Sequence, residues 1–224
     1  MSQTAKDILI NKAISLFDKG QIKECLEQTL LARKKYPNEA FIYNLLGVLY
    51  TQIESYEESI RNYSTALELN PNYFEVYNNM GVAYTSWKKN NKAIQFFDKA
   101  IKINPVYAEA YNNKGNALKE KGEYQLATEC YEKSIKLNPN YIDPMTNLGV
   151  IWDLMNDLTQ SESYFRKAHM LDPTNTSILY NLANCLFNAG HFKKAIDECQ
   201  KIIDIDYLFH HAYNRIGLCY IQLK

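Results

Sequence analysis

The side chains able to do chemistry are scattered along this 224-residue chain rather than gathered in motifs. It contains no Gly-rich phosphate loop, no nucleophile elbow and no His-x-x-x-His pair, so the spacings that cradle a phosphate, present a nucleophile or hold a catalytic zinc are missing. His169 and His191 stand far apart, and the adjacent His210 and His211 point to different faces of any helix that carries them. The five cysteines, Cys25, Cys130, Cys185, Cys199 and Cys219, are odd in number and form no Cys-x-x-Cys pair. They fit neither a disulfide framework nor a zinc site and point to a reducing compartment, the cytoplasm. Carboxylates are abundant, but none pairs with another in an apolar stretch as acid–base catalysis requires. The expectation is therefore a protein with no catalytic residue, no metal and no cofactor, not an enzyme.

One polar chemistry does recur. Asn79, Asn113, Asn147 and Asn181 follow one another at steps of 34 residues, in a series that begins with Asn11 and Leu45 and ends with Arg215. A carboxamide carries an acceptor and two donors, so it can bond both the C=O and the N–H of an extended polypeptide without reading its side chains.

The elements that must position these amides share their period. Five of the six prolines, at 37, 71, 105, 139 and 173, are spaced by 34 residues, and Gly47, Gly81, Gly115, Gly149 and Gly217 keep the same step, with Ala183 at the vacant position. Such a period governs the fold and is read before anything else. Within 74–107, Tyr77, Met80, Gly81 and Tyr84, then Ala93, Phe96, Phe97 and Ala100, follow i, i+3, i+4, i+7 spacing in two runs. Each unit is thus a pair of amphipathic helices, A and B. The break between them falls at Gly20, Lys88-Lys89-Asn90, Gly122, Asn156 or Gly190, and helix B stops before a proline that disfavours helical backbone in its predecessor. Gly47 and its equivalents, with Ser59, Ala93, Ala127, Ser161 and Ala195, are expected where helix backbones cross closely. Tyr43, Tyr77, Tyr111 and Tyr213, then Tyr50, Tyr84, Trp152 and Tyr220, are expected to fill the remaining volume. The balance of 25 basic against 25 acidic residues argues against nucleic acid, and no stretch approaches the roughly 20 apolar residues of a membrane span.

These residues resemble the tetratricopeptide repeat family, with its 34-residue helix–turn–helix unit. In phase with that pattern, repeats fall at 6–39, 40–73, 74–107, 108–141, 142–175 and 176–209, followed by a lone helix, 210–224, that is either a cap or the first half of a seventh repeat. The resemblance implies an all-α, right-handed superhelical solenoid, one array over 1–224, with a concave groove lined by helix-A positions 2, 5, 6, 9, 12 and 13. Those positions include Glu75, Asn78, Asn79, Glu109, Asn112, Asn113, Asn116, Asp143, Asn147, Tyr180, Asn181, Asn184 and Arg215. The amide series is similar to the asparagine ladder of O-linked N-acetylglucosamine transferase superhelices. The two-carboxylate clamp of chaperone-tail binders is not matched: Asn112, Thr146 or Tyr180 stands where it needs Lys, and only Arg215 agrees. Glu75, Glu109 and Asp143 make one edge of the groove acidic, which favours Lys or Arg in a partner. The expected function is a non-enzymatic protein–protein interaction scaffold holding an extended polypeptide; the alternative is the N-terminal substrate-recruiting module of a larger transferase-type enzyme. Self-association through 210–224 is a further expectation, because Leu218, Tyr220 and Ile221 sit on a helix with no partner after it.

Overall fold

A computed structural model describes residues 5–224, so the first four residues of the expected 1–224 array lie outside it. The described residues form thirteen α-helices and no strand. In chain order these are α1 Ala5–Asp18, α2 Ile22–Lys35, α3 Ala40–Gln52, α4 Tyr56–Leu69, α5 Phe74–Ser86, α6 Asn90–Ile103, α7 Ala108–Glu120, α8 Tyr124–Leu137, α9 Ile142–Leu154, α10 Leu158–Leu171, α11 Thr176–Asn188, α12 Phe192–Ile205 and α13 His210–Gln222. The helices alternate as A and B in the phase the prolines set. Pro144, the one out of phase, falls in the first turn of α9, where its missing N–H costs nothing.

Two compact units result, Met1–Lys121 and Gly122–Lys224, with the division inside the fourth repeat, at the turn between α7 and α8. In the first unit the hairpins α1–α2, α3–α4 and α5–α6 pack in succession, α7 closes on α6, and α3, α5 and α7 touch along their A faces. In the second, α8 packs on α9, the hairpins α9–α10 and α11–α12 follow, and α13 packs on α12.

The glycines of the repeat have a more specific cause than close backbone crossing. A Cβ on Gly47 would lie 2.3 Å from the Tyr63 ring, on Gly81 2.5 Å from Phe97, and on Gly149 2.6 Å from Phe165. Each glycine therefore makes room for the ring carried sixteen residues later on helix B, and the rings are buried. Where helix A carries Ala13 or Ala183 instead, the residue sixteen later is Thr29 or Cys199, and all four are buried too. Small side chains do approach the backbone, one turn earlier on helix B: the Ser59 hydroxyl donates to the Gly47 carbonyl at 2.8 Å, and the Cys25 thiol to the Ala13 carbonyl at 3.1 Å.

The turns are built by two devices. Between A and B, one residue takes a left-handed backbone, and the next N–H reaches back five residues to the helix, as from Ser55 to Tyr50 O or Lys89 to Tyr84 O at 2.8 Å. Glycine supplies that conformation at Gly20, Gly122 and Gly190, whereas Glu54, Lys88 and Asn156 hold it at φ of 61°, 59° and 62°. After helix B, the side chain of Asn70, Asn104, Asn138, Asp172 or Asp206 accepts from the backbone N–H two residues on, at 3.0–3.3 Å. Asp206 does this with Tyr207, not proline, next to it, so the acceptor side chain and not the ring is the common element.

The early helix-A tyrosines are clamps more than core. The hydroxyls of Tyr43, Tyr111 and Tyr213 donate to the carbonyls of Pro37, Pro105 and Tyr207, pinning the preceding turn. Tyr213 and Tyr220, expected to fill volume, are instead half exposed on α13 among the described residues.

Candidate functional site: the helix-A faces

The amide series occupies the A helices as the period requires, but its bonds run within the protein. On the first unit, Asn79 Nδ2 donates to Asn44 Oδ1 and Asn113 Nδ2 to Asn78 Oδ1, each at 3.0 Å. A position-6 amide is thus stapled to the position-5 amide of the repeat before it. Asn78, expected on the groove wall, is fully buried because its side chain points from α5 towards α7, and Asn112 is nearly fully buried too. Asn78 completes its bonding through Nδ2, which donates to Glu109 Oε1 at 3.1 Å and to the Tyr107 hydroxyl at 3.4 Å; that hydroxyl donates to Glu109 Oε2 at 2.9 Å. A buried amide left unpaired is costly, so this closed circuit holds α5 to α7 as well as presenting polar groups.

The same three positions recur one repeat earlier as Asn44, Tyr73 and Glu75. Burial pushes the Tyr73 hydroxyl up and the Glu75 charge adds to the shift, while a hydrogen bond to Asn44 opposes it. On the second unit these positions carry Tyr180, Phe209 and His211, which pack as rings: Tyr180 meets Phe209 at 5.5 Å and His211 at 5.9 Å between centroids. One stretch of the A face is therefore polar and acidic, another aromatic.

The remaining expected residues fall as follows. Asn116 is half-buried on α7, Asn147 half-buried and Asp143 exposed on α9, and Asn181 and Asn184 half-buried on α11. Asn184 Oδ1 and Arg215 Nε are buried atoms with no bonding partner, and the Arg215 guanidinium lies 4.6 Å over the Phe187 ring. Asn188 Nδ2 donates to Asp153 Oδ1 at 3.2 Å, another inter-repeat tie. Burial lowers the Lys119 ammonium from its ordinary value. Asn44, Tyr73 and Tyr107 went unnoticed in the sequence, although the signal was there: the stapled amides stand 35 residues apart, one more than the period.

Burial raises the thiols of Cys25, Cys185, Cys199 and Cys219, Cys199 to about 11, which keeps them protonated and inert. Among the described residues no group of His, Cys, Asp and Glu could hold a metal ion, and no helix is long and apolar enough to cross a membrane.

Family models for the tetratricopeptide repeat match residues 74–107, 108–141 and 154–214, and a TPR repeat model matches 47–86, together over more than half of the sequence. The chain belongs to the tetratricopeptide repeat family. No curated protein sequence matches it. Among solved structures it is similar to PilW, a widely conserved type IV pilus biogenesis factor, at TM-score 0.81 and 17% identity over 93% of this chain and 96% of that one. It is similar also to MamA (0.65, 23%, 75% and 92%) and to YrrB, a TPR protein with an unusual peptide-binding site (0.62, 21%, 83% and 96%). At these identities the likeness is one of fold: an all-α helical repeat.

Proposed function

We propose that this chain is a non-enzymatic protein-interaction scaffold that holds an extended segment of another polypeptide along its helix-A faces. The observation that carries this reading is the in-phase recurrence of amides there. The staple uses one N–H of Asn79 and of Asn113 and leaves each carboxamide a second N–H and its oxygen for a partner's backbone. Asn116, Asn147, Asn181 and Asn184 continue the series on the A helices. Glu75, Glu109 and Asp143 bias the segment towards Lys or Arg, and Tyr180 offers it a ring face. YrrB's peptide-binding site gives the reading a precedent within the fold. Five cysteines without a disulfide among the described residues, four of them buried, fit the cytoplasm.

Hydrogen exchange on the full chain with and without a bound peptide tests the placement. Slowed exchange in α5, α7, α9 and α11 is the expected result; protection confined to helix B would contradict it. A second reading concerns self-association, favoured by the exposure of Leu218, Tyr220 and Ile221 on α13. Light scattering should then show a dimer that Ile221→Lys dissolves, and a concentration-independent monomer would refute it.

A further inference from the structure

The first A-face junction is built differently from the next two. Position 5 of α1 is Ile10 and position 6 of α3 is Leu45, so the amide staple that ties α3 to α5 and α5 to α7 has no counterpart between α1 and α3. An open pocket of about 330 Å³ stands there, lined by Ile14 and Phe17 of α1 and by Phe41, Asn44, Leu45 and Val48 of α3. Its wall is apolar apart from Asn44, whose Oδ1 is taken by Asn79. The volume lies at the low end of the 300–1,000 Å³ typical of ligand sites, and no charged group lines it to hold a phosphate or a cofactor. Its lining suits an apolar side chain, and its volume has ample room for one.

The rim says what accompanies that side chain. Glu75 stands one helical turn before Asn79 on α5, and among the described residues it has no ion-pair partner, whereas Glu39 is paired with Lys6 at 2.6 Å. Neighbouring helices pack about 8–10 Å apart, and an extended chain advances about 3.3 Å per residue. A residue seated between α1 and α3 therefore has its neighbour about two or three positions away over Glu75.

We propose that this pocket is a side-chain-reading subsite: it takes one Leu, Ile, Met or Phe of an extended polypeptide that carries Lys or Arg about two or three residues away, facing Glu75. The proposal rests on the peptide-holding reading above and adds sequence selectivity to it. The amides bind backbone wherever it is extended, and the pocket with its single acidic neighbour fixes the register.

The test pans a phage-displayed random decapeptide library on the full chain and titrates the winning sequences, as labelled synthetic peptides, by fluorescence anisotropy. The winners should share an apolar residue and a basic one at that spacing. Ile14→Trp, which fills the pocket, and Ile14→Glu, which charges it, should each weaken binding about tenfold or more, with the helical circular dichroism retained. Glu75→Gln should weaken it about two- to fivefold and flatten its salt dependence. Winners that bind both Ile14 variants as tightly as the parent but lose affinity to Asn79→Ala with Asn113→Ala overturn the pocket and leave the groove standing. Winners indifferent to all of these changes, or no winners, overturn both. A dimer of the chain alone that Ile14→Glu dissolves would show that a second copy occupies the pocket, and would overturn the proposal as well.

Discussion

Gly81 and Phe97 solve one packing problem together, as do Ala183 and Cys199 in another repeat: the room given on helix A matches the bulk offered by helix B. A Cβ at Gly81 would sit 2.5 Å from Phe97 Cε1, with Phe97 buried and unable to withdraw. Gly81→Ala should therefore destabilise by about 1–3 kcal/mol in urea titrations, and the cost should shrink in a Phe97→Leu background, since the two positions share one volume. Equal costs in both backgrounds would mean the ring is not the cause. The step between glycines was legible in the sequence, but what each glycine faces was not, because a period marks equivalent positions and not which of them meet. The buried thiols make a second prediction. Cys199 is held neutral, with its value raised from about 9 to about 11, so its contribution to stability is whole below pH 9 and is lost as pH rises through 11. The urea midpoint should fall between pH 9 and 11, with a shallower fall for Cys199→Ala; identical slopes would contradict the assignment.

At the scale of elements, the hairpin is the unit, and each hairpin leans chiefly on its neighbours. Removing residues 108–141 as one 34-residue unit should leave a helical protein that melts cooperatively at lower temperature, whereas loss of helical circular dichroism would refute the repeat phase. Helix limits came through in the sequence because proline and glycine punctuate them. The reason helix B ends did not come through fully: the proline was visible, but the turn made by Asn70 or Asp206 needs a backbone N–H two residues on, and only the folded loop supplies it. Gly217 shows how far an element depends on its surroundings. It keeps the register of Gly47 and Gly81, yet nothing lies within 4 Å of the Cβ it lacks.

For the whole molecule, the location of the amides was legible and their bonding was not. Periodicity placed Asn79 and Asn113 on the A faces, but pairing across a 35-residue separation depends on how adjacent repeats stack. The consequence is that Asn79 and Asn113 serve stability, at about 0.5–1.5 kcal/mol net for each bond, beside the recognition proposed for them. The most direct test of the account is calorimetric titration of a library-selected decapeptide into the parent chain and into the variant with Ala at Asn79, Asn113, Asn147 and Asn181, both confirmed folded. Losing the backbone bonds should weaken binding by on the order of 2–6 kcal/mol, beyond a modest drop in the variant's own urea midpoint. Unchanged affinity in a folded variant would contradict the claim that these amides hold the partner.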